Sequence, residues 1–305
     1  MSSSLSRPLV VRGKGIIMID LHIHTIHSSD GQYAPEEILA PAQRLGMSAL
    51  AFCDHMDVTA AREGCDIFPG SGIEFFTGVE LSTSWEGSEY HLLCYGFDPD
   101  GAVINDFVFT HCDRIWARMD AILGHFRGLG FRLQAEDIRG WGKSVPTGVT
   151  MLNALAASNP DDARIRRYTH GDRSNSPYLN FYQDFSLTGF GREVSSRLPD
   201  LMETIEIFRD LGVPVLAHPG NIQADILRKL KGHGLKGIEV YSSHHGREEI
   251  RHLKGLAESL GLLISAGSDF HGEAIKPDIA LGSVEGSPDR SLIEAVRSST
   301  AAWNS

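Results

Sequence analysis

The stretch MIDLHIHTIHSSDG, residues 18–31, contains three histidines and two aspartates directly after the apolar run GIIMI. His22 and His24 are separated by one residue, so on a strand with a period of two both side chains point the same way and can bind one cation. Taken alone, the pair also fits ordinary surface or core histidines. The strands that follow must decide between a metal site and an unrelated histidine pair.

Short apolar runs alternate with helical segments along the chain, which is typical of β/α units and a largely parallel sheet. Seven strands are predicted, in GIIMIDLHIHT, SALAFCDH, IEFFTGVEL, EYHLLCYGFD, VPVLAHPG, LKGIEVYSSHH and LLISAGSDFHG. A turn is predicted in STSWEGS, and the pattern becomes helical from residue 102 to about 128. We therefore predict an N-terminal extension (1–15), a discontinuous barrel domain (16–100 and 199–305) and an inserted, mainly helical substrate or cap domain (101–198).

Potential metal ligands stand at or near the ends of these strands, where β/α barrels carry their functional groups. They are His22, His24, Asp30, Asp54, His55, Glu80, His91, His218, His244, His245, Asp269 and His271. Imidazoles and carboxylates without thiolates suit Zn, Mn or Fe, and a glutamate can bridge two ions. More than four ligands indicate more than one ion. Asp20 and Asp54 lie beside ligand histidines, where they either orient them or solvate strand ends.

Composition excludes several other classes of protein. The formal net charge of -11 argues against a surface built to attract nucleic acid, although a metal-lined cleft can still attract phosphate. No apolar run approaches the roughly 20 residues that a membrane span needs, and the N-terminus lacks a signal-like apolar stretch. We expect a cytoplasmic protein with reduced cysteines, no membrane association and no stable nucleic-acid partner. Nothing in the sequence indicates the oligomeric state.

The motifs DLHIHTIHSSDG, FCDH, GVELS, EYHLLCYGFD, LAHPG, GIEVYSSHH and GSDFHG, in this order, resemble those of the PHP (polymerase and histidinol phosphatase) family. The similarity covers roughly residues 16–100 and 200–275. It is greatest to the small stand-alone metal-dependent phosphoesterases, some of which act on nucleotides or short RNA. The resemblance implies a distorted (β/α)7 barrel of the TIM-like type.

The resemblance also implies which residues bind metal. Three sites are expected, formed by His22, His24, Glu80 and Asp269; by Glu80, His91 and His218; and by Asp30, His55 and His271. His27 competes with Asp30, because many family members have histidine there, but the SSDG context favours Asp30. All nine positions are present, so two or three divalent ions (Mn, Zn or Fe) are expected.

The expected reaction is hydrolysis of a small phosphomonoester by a metal-bridging hydroxide, since two close cations can activate water and polarise a phosphoryl oxygen. A nucleotide phosphate and the end of an RNA or oligonucleotide are the candidate substrates. Asp269 is the expected proton acceptor. His245 is predicted to contact phosphate or to protonate the leaving oxygen, unless it is an ordinary loop histidine.

The segment SVPTGVTMLNAL lacks the Arg-x-His stretch with which related enzymes hold substrate. Arg167, His170 and Arg173 are the replacement candidates, because they could bind phosphate through charge-assisted hydrogen bonds, or they belong to a solvated loop.

Two alternative functions remain at this point. An amidohydrolase-type C–N hydrolase also begins with His-x-His on a barrel strand, although its binuclear form would need a bridging lysine where Glu80 stands here. A non-catalytic metal-binding regulatory module is the other alternative, and the complete ligand set argues against it.

Overall fold

The computed structural model describes residues 18–141, 143–186 and 198–303. The predicted extension, residues 1–15, lies outside these residues. The strands are β1 (Met18–Ile23), β2 (Met47–Phe52), β3 (Glu74–Trp85), β4 (Ser88–Tyr95), β5 (Val213–Leu216), β6 (Gly237–Ser242) and β7 (Leu263–Gly267). They form one sheet in chain order, β1 to β7.

The sheet curves so that its last strand returns to its first. The backbone N–H of Asp269 donates to the carbonyl of His22 at 2.8 Å, and that of His24 donates to the carbonyl of Phe270 at 2.8 Å. Helices surround the resulting barrel, and the predicted distorted TIM-like barrel is confirmed.

Strand β4 runs against its neighbours, and this orientation matters for the site. It pairs antiparallel with both β3 and β5, whereas the other pairs are parallel. The predicted turn in STSWEGS is shorter than expected, because β3 continues to Trp85 and only Glu86 and Gly87 separate it from β4. Both residues have positive φ, 50° and 78°, as a tight hairpin turn requires. The beginning of β4 therefore lies at the end of the barrel where the parallel strands finish.

Twelve helices are resolved in the described residues. They are α1 (Pro35–Leu45), α2 (Thr59–Ile67), α3 (Ala102–Trp116), α4 (Met119–Gly128), α5 (Ala135–Arg139), α6 (Gly148–Ser158), α7 (Ala163–Thr169), α8 (Pro177–Ser186), α9 (Leu201–Phe208), α10 (Ala224–His233), α11 (Arg247–Leu260) and α12 (Arg290–Trp303). None of these helices has both the length and the apolar character needed to cross a bilayer.

The helices of the predicted insertion pack in two ways. Helices α4 to α8 share their own apolar core, which includes Leu123, Phe126 and Leu155. Helix α3 instead buries Ile104 and Phe107 in the core that lines the barrel. The domain boundary at residue 101 stays a prediction, but packing associates α3 with the barrel.

A short segment before α6 fastens the insertion to the barrel. The backbone N–H of Lys143 donates to Ser29 Oγ at 2.8 Å, and that hydroxyl donates to the carbonyl of Val145 at 2.5 Å. Ser144 Oγ donates to the carbonyl of His55 at 2.7 Å. The insertion is thus tied to the two loops that follow β1 and β2.

The loop after β1 leaves no room for a side chain at Gly31. A Cβ atom at this position would lie 1.7 Å from the carbonyl oxygen of Thr25. We expect Gly31→Ala to lower the free energy of unfolding by about 1–3 kcal/mol, the usual cost of forced overpacking. The matched control is Gly232→Ala in α10, where no atom lies within 4 Å and alanine should stabilise the helix by about 0.5–1 kcal/mol. Urea denaturation of both variants measures the difference, and equal stabilities would contradict the packing described.

Candidate metal centre

Four side chains lie close together at the end of β1, and they come from β1, the residue after it, β3 and the loop after β7. His22 and His24 are fully buried, and their Nε2 atoms lie 3.2 Å apart. Glu80 Oε2 is 3.2 Å from each of these nitrogens, and Asp269 Oδ1 is 3.5 and 3.2 Å from them. Ligands about 2.0–2.2 Å from a tetrahedral ion lie about 3.3 Å from one another. The spacing therefore fits one cation bound by all four.

Glu80 also faces a second group of imidazoles. Its Oε1 lies 2.9 Å from His91 Nδ1 and 3.1 Å from His218 Nε2, while its Oε2 lies 3.1 Å from His55 Nδ1. Glu80 stands in the middle of the long strand β3, and the antiparallel direction of β4 brings His91 beside it. One carboxylate thus separates two sets of imidazole nitrogens, as a bridging ligand does.

A third cluster contains His24, Asp30, His55 and His271. Asp30 Oδ2 lies 3.6 Å from His55 Nε2 and 3.7 Å from His271 Nε2. His27 turns away, because its Nε2 pairs with Glu63 at 2.9 Å. The structure brings Asp30, and not His27, to the other ligands.

Several polar atoms of this centre lack partners among the described residues. Glu80 Oε2, Asp30 Oδ1 and His55 Nδ1 are buried and make no hydrogen bond. A buried polar atom without a partner costs about 1–3 kcal/mol, so three within one cluster need an explanation. A cation bound to these residues provides one, and the donor set of imidazoles and carboxylates fits a divalent metal.

The carboxylates make the centre favour positive charge. Burial alone would lower the pKa of His24 and His91, but Asp269 and Glu80 raise the pKa of His24 to about 9. Glu80 and Glu89 raise the pKa of His91 to about 10. Burial lowers the pKa of His55 to about 4 despite nearby carboxylates. A metal ion binds the neutral imidazole, so it would replace protons on the first two histidines.

Glu239 is a buried member of the centre that the sequence analysis missed. Its Oε1 lies 3.1 Å from His22 Nδ1, and its Oε2 accepts the backbone N–H of His218 at 3.0 Å. A carboxylate on the second nitrogen of a ligand histidine fixes the ring and its tautomer. Glu239 lies within β6 and not at a strand end, where the candidate ligands were expected. A charged residue inside the apolar run GIEVY is the feature of the sequence that indicates a buried carboxylate.

Asp20 and Asp54 are buried, which rules out the solvation alternative. Asp20 accepts hydrogen bonds from the backbone and hydroxyl of Ser268 at 2.8 and 2.6 Å. Asp54 accepts from the backbone and hydroxyl of Thr25, both at 2.7 Å, and from the backbone of Ser28 at 3.1 Å. Each aspartate therefore orients ligands through the backbone of a neighbouring ligand-bearing segment, not through an imidazole ring.

Two of the candidate ligands have left-handed backbone conformations. The φ angles of His218 and Asp269 are 24° and 57°, and such conformations cost about 1–3 kcal/mol for residues other than glycine. Both follow the end of a strand, where the chain must turn sharply to direct the side chain inward. A strained backbone conformation of this kind persists where the surrounding structure holds the residue in place. Here the backbone N–H of Ser268 donates to Asp20, and the backbone N–H of His218 donates to Glu239.

His245 does not have the freedom that its predicted role requires. It is buried, its Nδ1 lies 2.9 Å from the carbonyl of Val240, and its Nε2 accepts the N–H of Gly220 at 3.2 Å. With both ring nitrogens bound to backbone, neither faces a substrate. His244 occupies the mouth instead, with its side chain 43% exposed and its Nε2 2.5 Å from Asp269 Oδ2.

The predicted substrate residues of the insertion are bound to their own neighbours. Arg167 pairs with Asp172 at 3.2 Å, and Arg173 pairs with Asp184 at 2.7 Å. His170 Nδ1 lies 2.8 Å from Thr169 Oγ1. Among the described residues, no contact joins these three side chains to the metal-ligand clusters. The structure thus favours the alternative of a solvated surface for them.

Known proteins resemble this chain over most of its length. A 5'-3' exoribonuclease of Haemophilus influenzae is 29% identical over 262 residues, which cover 83% of this chain and 89% of that protein. A 3',5'-nucleoside bisphosphate phosphatase of Chromobacterium violaceum is 25% identical over 260 residues, covering 83% and 87%.

A solved structure from Bifidobacterium adolescentis, named as a metal-dependent phosphoesterase, matches the fold. Its TM-score is 0.72 at 22% identity, over 93% of this chain and 97% of that one. Residues 20–120 match the family model described as the PHP domain. This range contains most of β1 and all of β2 to β4, and therefore the ligand-bearing segments from His22 to His91. This part of the chain therefore matches the family that the motifs predicted.

Proposed function

We propose that this protein is a metal-dependent phosphoesterase that hydrolyses a small phosphorylated substrate at the candidate metal centre. The observation that carries the proposal is the position of Glu80, whose two carboxylate oxygens face two different sets of imidazoles. Ions on either side of one carboxylate are the arrangement that phosphoryl transfer uses to act on both the attacking and the leaving oxygen. Two or three ions, drawn from Mn, Zn and Fe, fit the three clusters.

The proposed substrates are a nucleotide phosphate and the phosphorylated end of an RNA. Support comes from the names of the two relatives, one an exoribonuclease and the other a nucleoside bisphosphate phosphatase. The net charge of -11 leaves little general attraction for a long nucleic acid, so recognition of a phosphate at the metal centre fits better than extensive contact.

Divalent ions at this centre would lower the pKa of a bound water and neutralise phosphoryl oxygens. Glu80, His22 and His24 would help to hold those ions, and all three are buried before substrate arrives. Burial would raise the pKa of Asp269, but Lys276, His271 and His22 hold it well below its usual range. Asp269 is therefore ionised at neutral pH, as a metal ligand must be. Its role as proton acceptor stays a prediction.

The amidohydrolase alternative has weaker support. A bridging carboxylate, Glu80, stands where a binuclear enzyme of that type would need a lysine, and both relatives named above act on phosphoric esters. The regulatory alternative gains no support from the centre either, since all nine predicted ligands lie in the three clusters or contact Glu80.

The metal centre predicts a stoichiometry. We expect at least two equivalents of Mn or Zn per chain after reconstitution, measured by elemental analysis of the desalted protein. His22→Ala should lose at least one equivalent, because this imidazole faces Glu80 and Asp269. His233→Ala is the control, since this histidine pairs with Glu206 on α9 at 2.7 Å, away from the clusters. Fewer than two equivalents in the wild type would contradict a multinuclear centre.

Hydrolysis depends on the same residues. We expect His22→Ala and Asp269→Asn to reduce phosphate release from a nucleoside 3',5'-bisphosphate and from a 5'-phosphorylated oligoribonucleotide at least 1,000-fold. Their circular dichroism spectra should match the wild type. Undiminished phosphate release by both variants would mean that the reaction takes place elsewhere. Release of ammonia or an amine, without phosphate, would favour the C–N hydrolase.

Glu239 should act through His22. We expect Glu239→Gln to weaken Mn binding by about 10–100-fold, the usual effect of losing a carboxylate that supports a ligand histidine. Titration calorimetry with Mn measures this directly. Glu206→Gln is the matched control, because Glu206 also pairs with a histidine, on the surface. Equal Mn affinity of the two variants would show that Glu239 has no part in orienting the ligand.

A further inference from the structure

We infer that Lys276 binds the phosphoryl group of the substrate at the mouth of the metal centre. The inference rests on the proposed function and adds the cation that recognises the phosphate. Lys276 is in the loop after β7, seven residues beyond Asp269, and its Nζ contacts Asp269 Oδ2. Its side chain is 28% exposed, whereas that of Asp269 is 5% exposed. The ammonium group thus lies between the buried ligands and solvent.

The loop that carries Lys276 is held in place by its own hydrogen bonds. The backbone N–H of Lys276 donates to the carbonyl of Gly272 at 2.9 Å, and the N–H of Ala274 donates to Gln32 Oε1 at 2.8 Å. Glu273 accepts a hydrogen bond from the hydroxyl of Tyr33 at 2.7 Å. These contacts fasten the loop to the segment after Asp30. The backbone position of Lys276 is therefore set by the fold, which reduces the entropy lost when the loop binds a ligand.

The two oxygens of Asp269 face different surroundings. Oδ1 faces His22 and His24, at 3.5 and 3.2 Å, on the side where a metal would bind. Oδ2 is shared by Lys276 and by His244, whose Nε2 is 2.5 Å away, and both of these side chains are more exposed than Asp269. Two nitrogen donors therefore converge on a single oxygen from the solvent side. A phosphoryl oxygen that reaches the metal centre from solvent meets the same two donors.

The charge of the substrate favours such a cation beside the metal ions. A phosphate monoester carries up to two negative charges, and a lysine ammonium group binds phosphate as a point charge through three N–H donors. The Arg-x-His stretch expected in the insertion is absent, and Arg167 and Arg173 are paired with acids there. The side chain of Lys143 is bound to the carbonyl of Ile26. Lys276 is in contact with a ligand carboxylate and still partly exposed.

A purely structural role of Lys276 would affect a different measured quantity, the binding of metal and not the binding of phosphate. If Lys276 only balanced the charge of Asp269, its removal would strengthen metal binding, because the carboxylate would lose a competing cation, and would leave the affinity of the metal-loaded protein for phosphate unchanged. If it binds phosphate, removal weakens phosphate binding and leaves the metal content unchanged. The two roles are therefore separated by measuring metal and phosphate binding independently.

The test uses the full chain loaded with Mn and compares wild type, Lys276→Met, Lys276→Arg and Lys254→Met. Lys254 is exposed on α11 and serves as the matched control. Titration calorimetry with inorganic phosphate gives the affinity, and elemental analysis gives the Mn content. We expect Lys276→Met to bind phosphate at least 10-fold more weakly with unchanged Mn content. Lys276→Arg should recover most of this loss, and Lys254→Met should behave as wild type.

Steady-state kinetics with a nucleoside 3',5'-bisphosphate should show a KM at least 10-fold higher for Lys276→Met. Unchanged phosphate affinity in this variant, or tighter Mn binding with phosphate binding intact, would overturn the inference. Lysine-dependent phosphate binding by a protein that hydrolyses no phosphoester would overturn the proposed function and leave the inference standing. Phosphoester hydrolysis with the same KM and phosphate affinity in wild type and Lys276→Met would overturn the inference and leave the proposed function standing.

Discussion

The structure depends on one buried carboxylate, that of Glu80. Five imidazoles surround its two oxygens at 2.9–3.2 Å, from His22, His24, His55, His91 and His218. A carboxylate in a dry interior is costly unless cations or donors compensate it, and Oε2 has no hydrogen-bond partner among the described residues. The barrel therefore encloses a position that requires positive charge. A divalent ion bound there would satisfy this requirement and leave the imidazoles neutral.

The neighbouring structure holds these side chains before any ion binds. Asp20 and Asp54 connect adjacent ligand-bearing segments through backbone hydrogen bonds, and Glu239 fixes the ring of His22. His218 and Asp269 remain in left-handed conformations within this framework. A site on rigid strands, with its ligands oriented by further buried groups, loses little entropy when the metal binds. The strain at two ligands is thus compensated by the hydrogen bonds around them.

The barrel and its insertion contribute differently to the centre. Every candidate ligand belongs to the barrel, while helices α4 to α8 have a separate apolar core. The two are joined at Lys143 to Val145, which bind the loops that follow β1 and β2. This division leaves the insertion free to vary in surface chemistry without altering the ligands.

The sequence by itself determined the strands and the types of side chain near their ends, from which the candidate ligands were predicted. Their identity follows from periodicity and from His, Asp and Glu placed near strand ends, which are local properties of the chain. The SSDG context already favoured Asp30 over His27, and tertiary structure added the contact that turns His27 away, its pairing with Glu63, 36 residues distant in sequence. It also decided against a free ring nitrogen on His245, because Val240 and Gly220 bind that ring. Glu239 and Lys276 were found only through contacts between strands and loops that are distant in sequence, and a one-dimensional pattern carries no information about such contacts.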